Sequence, residues 1–284
     1  MSTPSLCFVL PFFDEKKKLA WVRKKKFPQY FDYFLESYSH NAKFPLIVFT
    51  NVPCKVYEKR YKGGPITFKQ MSFKASFELF KRKLGITGYD YEQYRAYKLC
   101  DFKPTYGLVF DTYLKDFEYW GHIDPDAIIG DLSKFITSEN IEGYEVISGS
   151  SSCLAGYLTI YRNVEHVNSL YTKSPDHLQV LNSPENFSFD EEGGIRDITA
   201  MQQLLRSLGV EIKLLGCVQN DFGTTNNDRE WVYDWQDGKL RDRLADREIA
   251  MLHLMKSKKD PDFTFQEFRP SEGFSISRSG LFYS

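Results

Sequence analysis

The stretch Phe117-Glu-Tyr-Trp-Gly-His-Ile-Asp-Pro-Asp-Ala-Ile-Ile-Gly-Asp131 reads as an apolar, aromatic strand that runs out at a carboxylate pair, Asp124 and Asp126. An extended approach would put His122, Asp124 and Asp126 on one face by the two-residue period of a strand, with Pro125 bending the chain between the acids. Two carboxylates one residue apart suit a hard divalent cation such as Mg²⁺ or Mn²⁺, whose remaining coordination positions stay open to phosphate oxygens. The competing reading is a solvated turn after a strand, because Pro and Asp are ordinary turn residues. The surroundings of the pair decide between the two.

Upstream, Leu6 to Phe12 is a continuous apolar run, as expected of a strand covered on both faces, and it stops at Pro11-Phe12-Phe13-Asp14. Pro28 opens a helix through about Ser39, with Phe31, Phe34, Leu35 and Tyr38 on one stripe. Leu46-Ile-Val-Phe-Thr-Asn51 is a second short strand, and strand, helix, strand in this order predicts a parallel βαβ unit. Met71–Leu84 and Tyr91–Phe102 read as amphipathic helices, and strands are expected at Tyr144–Ser148, Leu158–Arg162 and Val210–Leu215. Residues 174–194 have loop or lid composition, Ile198–Leu208 reads as a helix ending at Gly209, and Asp221–Arg247 reads as polar and irregular. No internal repeat or low-complexity tract interrupts this pattern. The expectation is an α/β fold in one domain over residues 1–284, with a mostly parallel central sheet flanked by helices. Residues 1–135 would form one half and 136–284 the other, with a smaller lobe beside the main sheet.

At 284 residues and 42% hydrophobic content the chain can bury a large core. Lys and Arg total 37 against 38 Asp and Glu, so nothing global favours nucleic acid. The charge is local instead. Lys16-Lys17-Lys18 and Arg23-Lys24-Lys25-Lys26 form a basic stretch, open to two readings: a peripheral contact with anionic lipid or polyanionic glycan, or a solvated face. The five cysteines, Cys7, Cys54, Cys100, Cys153 and Cys217, lack metal-ligand spacing and read as reduced core residues of a cytosolic protein. The apolar run from Leu6 to Phe13 is too short to span a membrane and has no basic start, so neither secretion nor insertion is expected. The 24 Phe and 18 Tyr are mostly core material, although aromatic rings also stack on bases and sugars.

In an open α/β sheet, ligands bind at the carboxyl ends of strands, which is where the Phe13 loop, the Asn51 turn and the Asp pair would converge. Lys98-Leu-Cys-Asp101-Phe-Lys103 adds two cations and a carboxylate. That group either contacts the base, ribose or phosphate of a nucleotide through charge-assisted hydrogen bonds, or forms a helix-end salt-bridge cluster. His253-Leu-Met-Lys256-Ser-Lys258 offers an imidazole nitrogen to a metal and ammonium groups to phosphate, against the alternative of a structural histidine.

Together these pieces resemble the glycosyltransferases of the GT-A fold. More narrowly, Tyr97-Lys-Leu-Cys-Asp-Phe-Lys-Pro104, Trp120-Gly-His-Ile-Asp-Pro-Asp126 with Gly130-Asp131-Leu132, and Gly156-Tyr-Leu-Thr-Ile-Tyr-Arg-Asn163 look like a poorly characterised family of such enzymes found in capsule and surface-polysaccharide settings. The resemblance runs from the Pro11 loop to Lys258 and is densest over 94–163. It implies a GT-A, Rossmann-like domain with Asp124 and Asp126 at the metal and His253 as a further ligand. It also implies Lys256 or Lys258 at the diphosphate, and Phe12, Phe13 and Asn51 near the nucleotide base. The chain departs from the pattern at Gly156-Tyr157, where Gly-His is expected.

Such an enzyme moves a sugar from a nucleotide-diphosphate donor, UDP being the favoured nucleotide, to a glycan hydroxyl with Mn²⁺ or Mg²⁺. Bond cleavage passes through an oxocarbenium-like state, and an inverting reaction also needs a carboxylate to take the acceptor proton. Asp190 and Glu191, with Glu192 beside Gly193-Gly194, are the candidates, the alternative being a solvated acidic loop. Two rivals stand beside this expectation. One is a phosphatase with an Asp nucleophile, a class that places its acid pair near the N-terminus. The other is a non-catalytic glycan-binding protein of the same fold.

Overall fold

The computed structural model describes residues 2–15, 25–221 and 231–283. Most of the Lys16–Lys26 basic stretch therefore lies outside the described residues.

The strand β1 (Leu6–Phe12) is covered on both sides. Leu6, Phe8 and Leu10 share a core with Phe31, Phe34, Leu35 and Tyr38 of α1 (Gln29–Ser39). Cys7 and Val9 point the other way, into a core with Phe77 and Phe80 from α3 (Phe73–Leu84), which follows the short surface helix α2 (Lys55–Arg60). Two buried faces explain why the strand is apolar without alternation. Gly85, in the left-handed conformation at φ 68°, ends α3 as a C-cap glycine should.

Around β1 lie β2 (Leu46–Thr50), β3 (Ile66–Gln70), β4 (Tyr119–Ile123), β6 (Val146–Ser148), β7 (Leu158–Arg162) and β8 (Ile212–Leu214). Their order is β3-β2-β1-β4-β7-β6-β8. Only β7 runs against the rest, pairing antiparallel with β4 and β6. The fold is thus mixed α/β with a largely parallel central sheet, and the βαβ unit expected from Leu6 to Asn51 is present as parallel pairing of Phe8 with Leu46 and Phe12 with Thr50.

A three-stranded sheet adjoins it: β5 (Ala127–Ile129), β9 (Val218–Asn220) and β13 (Met251–His253), in the order β5-β13-β9. The end of α1 supports it, because the Ile129 N–H donates to Ser37 Oγ at 3.0 Å and Asn41 Nδ2 donates to the Gly130 carbonyl at 3.0 Å. The remaining strands, β10 (Val232–Gln236), β11 (Lys239–Asp242), β12 (Arg247–Ile249), β14 (Thr264–Phe265), β15 (Phe274–Ser277) and β16 (Gly280–Tyr283), form a six-stranded sheet. Tyr233, Trp235, Leu240 and Ile276 fill its own core. Trp235 also ties this sheet to β5 by donating its indole N–H to the Ile129 carbonyl at 2.9 Å, as a buried indole requires.

Several expectations need correction, including the loop expected over 174–194, which carries a short helix at His177–Leu181. Residues 91–102 do not form one helix, because Tyr94 and Arg95 are extended and split the segment into 3₁₀ turns and a single α turn, Leu99–Phe102. Extension there lets the Tyr94 ring stack on Phe73 with centroids 4.7 Å apart. The described part of 221–247 is not irregular: β10 and β11 form a hairpin whose two-residue turn, Asp237-Gly238, has both φ angles positive. Asp-Gly between alternating apolar residues is a strong hairpin signal. The helix expected over 198–208 is shorter, Met201–Ser207, and the strand expected over 210–215 is Ile212–Leu214.

Candidate metal centre

Asp124-Pro125-Asp126 lies where the chain passes from one sheet to another. The Asp124 N–H donates to the Tyr157 carbonyl at 2.9 Å, extending the β4–β7 ladder, whereas the Asp126 carbonyl accepts from Leu254 N–H at 2.8 Å, extending β5–β13. Proline suits this crossing because neither ladder needs its missing N–H. The β13 register then sets the third group: His253 stands opposite Ala127 on β5 and Asn220 on β9. His253 Nδ1 bonds Asn220 Oδ1 at 3.1 Å, leaving Nε2 3.3 Å from Asp126 Oδ2 and 4.0 Å from Asp124 Oδ2. With Asn220 accepting, Nδ1 carries a proton, and Nε2 is left to donate to Asp126 or, with a cation between the acids, to give it a lone pair, the arrangement found behind metal-bound histidines.

One atom from each of Asp124, Asp126 and His253 lies within 4.8 Å of the others. Two carboxylate oxygens and an imidazole nitrogen fit Mn²⁺ or Mg²⁺ and leave coordination positions for a ligand's oxygens. His122, expected on the same face, does not join them. It is buried in the floor of the cavity, where burial first and then Lys103 hold its pKa well below the usual value, so it is neutral.

Cations flank both acids. Lys258 pairs with Asp126, and Lys103 Nζ lies 2.9 Å from Asp124 Oδ1, 3.2 Å from Asp190 Oδ2 and 2.7 Å from the Gly156 carbonyl. Burial alone would raise the Asp126 pKa, but His253 and Lys258 outweigh it and hold the carboxyl below the usual range. Lys103 is likewise charged despite burial, because Asp124 and Asp190 raise its pKa. Asp190 differs. Burial lifts its pKa to about 7 against the opposing pull of Lys103, and neither carboxylate oxygen has a directed hydrogen bond. Asp124, which reaches solvent, is therefore the main ion-pair partner of Lys103. Glu191 sits at the surface beside Asp190, its pKa also raised, by burial first.

Gly156 keeps space open beside the acidic loop. A Cβ at that position would come within 2.6 Å of Asp190 Oδ2 and 2.7 Å of Glu191 Oε1. Its neighbour Tyr157, at the departure from the Gly-His pattern, packs its ring beside His253 with centroids 5.0 Å apart.

A cavity of about 240 Å³ opens at this edge, lined by Phe12, Phe13, Tyr97, Lys103, Asp124, Asp126 and Lys258 among others. A larger recess, about 480 Å³, lies at the opposite ends of β4 and β7 among Ser2, Glu118 and Arg162, away from these carboxylates. The carboxyl edge of the sheet is the chemically equipped one.

Other expected residues take structural roles. The Asn51 side chain does not line the cavity; it clamps the backbone of Asp14 with hydrogen bonds of 2.9 and 3.1 Å, holding the loop that carries Phe12 and Phe13. Lys256 is exposed, and its N–H donates to Asp221, which also accepts from Ser257 N–H and so shapes the turn that delivers Lys258. Lys98 and Asp101 are not placed to touch a ligand. Their side chains are fully buried and paired at 2.8 Å; Lys98 also donates to the carbonyls of Val180 and Glu185, and Asp101 accepts from the amides of Phe187 and Phe189. The pair pins the loop that presents Asp190. Asn220, Asp221 and Gly156 carry no local sequence signal for these roles, which arise from strand register and chain crossings.

No helix among the described residues is long and apolar enough to cross a membrane. The sequence pattern of a family of unknown function, DUF6625, matches residues 25–281. No curated protein sequence matches the chain. Among solved structures, the galactosyltransferase LgtC with donor and acceptor sugar analogues is similar at 12% identity and a TM-score of 0.42, covering 90% of this chain and 88% of that one. Mouse xyloside xylosyltransferase 1 in its apo form is similar at 8% identity and a TM-score of 0.45, covering 90% of this chain and 98% of that one. A 4-diphosphocytidyl-2C-methyl-D-erythritol synthase from Anaerococcus prevotii is similar at 8% identity and 0.34, covering 74% and 86%.

Proposed function

The chain belongs to that family of unknown function, DUF6625, and we propose that it is a metal-dependent glycosyltransferase acting from a nucleotide-diphosphate sugar, UDP favoured, onto a glycan hydroxyl. The observation that carries this reading is the convergence of Asp124, Asp126 and His253 from two adjoining sheets, with Lys258 and Lys103 on either side. A divalent ion held by those three side chains would stabilise the negative charge gathering on the departing diphosphate. Lys258, now paired with Asp126, stands within reach of the same charge and would add a second cation. Phe12 and Phe13 wall the cavity on the side assigned to the base. Asp190, with a pKa of about 7, has the basicity to take a proton near neutral pH but is buried and does not line the cavity, so Glu191, its exposed neighbour, is the carboxylate that an acceptor hydroxyl would meet first.

On this reading the donor occupies the 1–135 half of a single domain, and the 136–284 half supplies Asp190, His253 and Lys258 together with the acceptor side. The proposed setting is cytoplasmic, with the Lys16–Lys26 stretch as a peripheral contact to a membrane that carries the acceptor.

Calorimetry tests the proposal. UDP should bind wild type only with Mn²⁺ or Mg²⁺ present, and Asp126→Ala should remove that binding and all transfer while the protein stays folded. Undiminished transfer by Asp126→Ala would sink the proposal. Binding of neither nucleotide nor metal would favour the glycan-binding alternative, and phosphoester hydrolysis lost on Asp124→Asn the phosphatase.

A further inference from the structure

Strand register places the backbone of His253 but not its ring. An imidazole turns about two side-chain torsions, and the second of them is broad. One ring nitrogen at a time can face Asp124 and Asp126, so something besides the ladder has to choose it. Two residues from different parts of the chain meet the ring.

Asn220 meets its edge. The parallel pairing of β13 with β9 sets Asn220 beside His253, and Asn220 Oδ1 lies 3.1 Å from Nδ1. That bond turns the other nitrogen, Nε2, toward Asp126 Oδ2 at 3.3 Å. Tyr157, just ahead of β7, packs alongside the ring, with centroids 5.0 Å apart and planes inclined by 41°. Packing alone would hold the imidazole in either of its two flips; the Asn220 bond tells the nitrogens apart, and the Tyr157 ring limits the swing that remains.

Tyr157 is itself backed. Its side chain packs against the core that contains Ile123, Leu158, Val218 and Met251. Its carbonyl accepts the Asp124 N–H at 2.9 Å, so one residue meets two members of the centre through separate parts. A change of its side chain removes the ring contact and leaves the backbone bond in place.

We propose that Asn220 and Tyr157 are positioning residues for His253, Asn220 choosing the nitrogen that faces the acids and Tyr157 holding the imidazole plane. The centre then offers a nitrogen ligand beside its two carboxylates. The assignment rests on the metal-centre part of the reading above and not on the sugar chemistry. It has a signature that loss of packing alone would lack. Two carboxylates serve Mg²⁺ as well as Mn²⁺, whereas an imidazole suits the transition metal, so a ring that loses its support should cost Mn²⁺ more than Mg²⁺.

Electron paramagnetic resonance of Mn²⁺, with and without UDP, tests it, with Mg²⁺ affinity read by competition and circular dichroism confirming that each variant is folded. Wild type should bind Mn²⁺ and show nitrogen hyperfine coupling in pulsed spectra, and His253→Ala should lack the coupling. Asn220→Leu should weaken Mn²⁺ roughly 10–100-fold, the usual scale for a partner behind a metal-bound histidine, with a smaller loss for Mg²⁺ and a weakened coupling. Asn220→Asp, which keeps the acceptor oxygen, should keep both affinity and coupling. Tyr157→Ala should follow Asn220→Leu by a smaller factor, and Tyr157→Phe should match wild type. Unchanged coupling and an unchanged Mn²⁺ to Mg²⁺ ratio in Asn220→Leu and Tyr157→Ala overturn the proposal, as does an Asn220→Asp variant as impaired as Asn220→Leu. Wild type that binds Mn²⁺ without nitrogen coupling removes His253 as a ligand and the proposal with it. Wild type that takes up no Mn²⁺ in either condition defeats the metal-centre reading itself.

Discussion

Lys98 and Lys103 stand five positions apart, both are buried, and both hold aspartates, yet they build opposite environments. Lys98 and Asp101 sit in a dry box in which Asp101 and the carbonyls of Val180 and Glu185 take the ammonium's hydrogen bonds, and two amides fill the carboxylate. Lys103 divides its charge between Asp124, which reaches water, and Asp190, whose oxygens have no directed hydrogen bond. A saturated buried pair is an anchor, because nothing can join it without breaking something. A pair with spare hydrogen-bonding capacity is where protons and ligands exchange.

The sharpest way to break this comparison is to empty each box. Lys98→Met leaves Asp101 buried without its cation and should cost about 3–5 kcal/mol in denaturant unfolding, because an uncompensated charge stays inside. Lys103→Met should cost clearly less, since Asp124 can turn to solvent. Equal losses would erase the distinction. Next in size, saturating Mn²⁺ at about 100 times its Kd should stabilise wild type by about 2.7 kcal/mol and leave Asp126→Ala unmoved, as thermal shifts would report.

Gly156→Ala should cost about 1–3 kcal/mol by overpacking, with the Asp190 loop displaced and Lys103 released from the Gly156 carbonyl. Faster amide exchange confined to residues near 187–191 would localise the effect. Titration acts as a slope rather than as a single loss. The folded Asp190 pKa is raised, so the unfolded chain gives up its proton first, and stability falls as pH rises from about 4 to about 7, by no more than about 1.4 kcal/mol per pH unit. Asp190→Asn should remove that slope. Asp126 works with the opposite sign: its folded pKa is depressed, so its contribution is present above the ordinary carboxylate range and lost in acid. A pH series of melting temperatures on Asp190→Asn separates the two.

How much was legible in the sequence follows the range of the forces involved. The limits of β1 and β7 could be read from local apolar runs, because burial on two faces marks most of their residues. The Asp pair, His253 and Lys258 were legible as types suited to a cation and a phosphate. Their mutual placement was not, because it depends on β13 pairing with β5 across more than a hundred positions. Lys98 and Asp101 read equally well as nucleotide contacts or as a salt bridge, since what dries their box is the 180–189 segment. The 91–102 stripe looked helical because 3₁₀ turns can bury much the same residues, and only the Tyr94–Phe73 stack shows why the chain extends there. The Asp237-Gly238 hairpin carried its own signal, masked by the charge around it.

The crossing at Pro125 has a consequence for assembly. Asp124 is hydrogen-bonded into the ladder of the central sheet and Asp126 into that of the neighbouring one, so their separation is fixed only when both sheets exist. A chain emerging from the ribosome holds both acids long before β13 is made, but not their spacing. On the proposed reading, competence to take up a cation and a nucleotide would therefore arrive late and all at once.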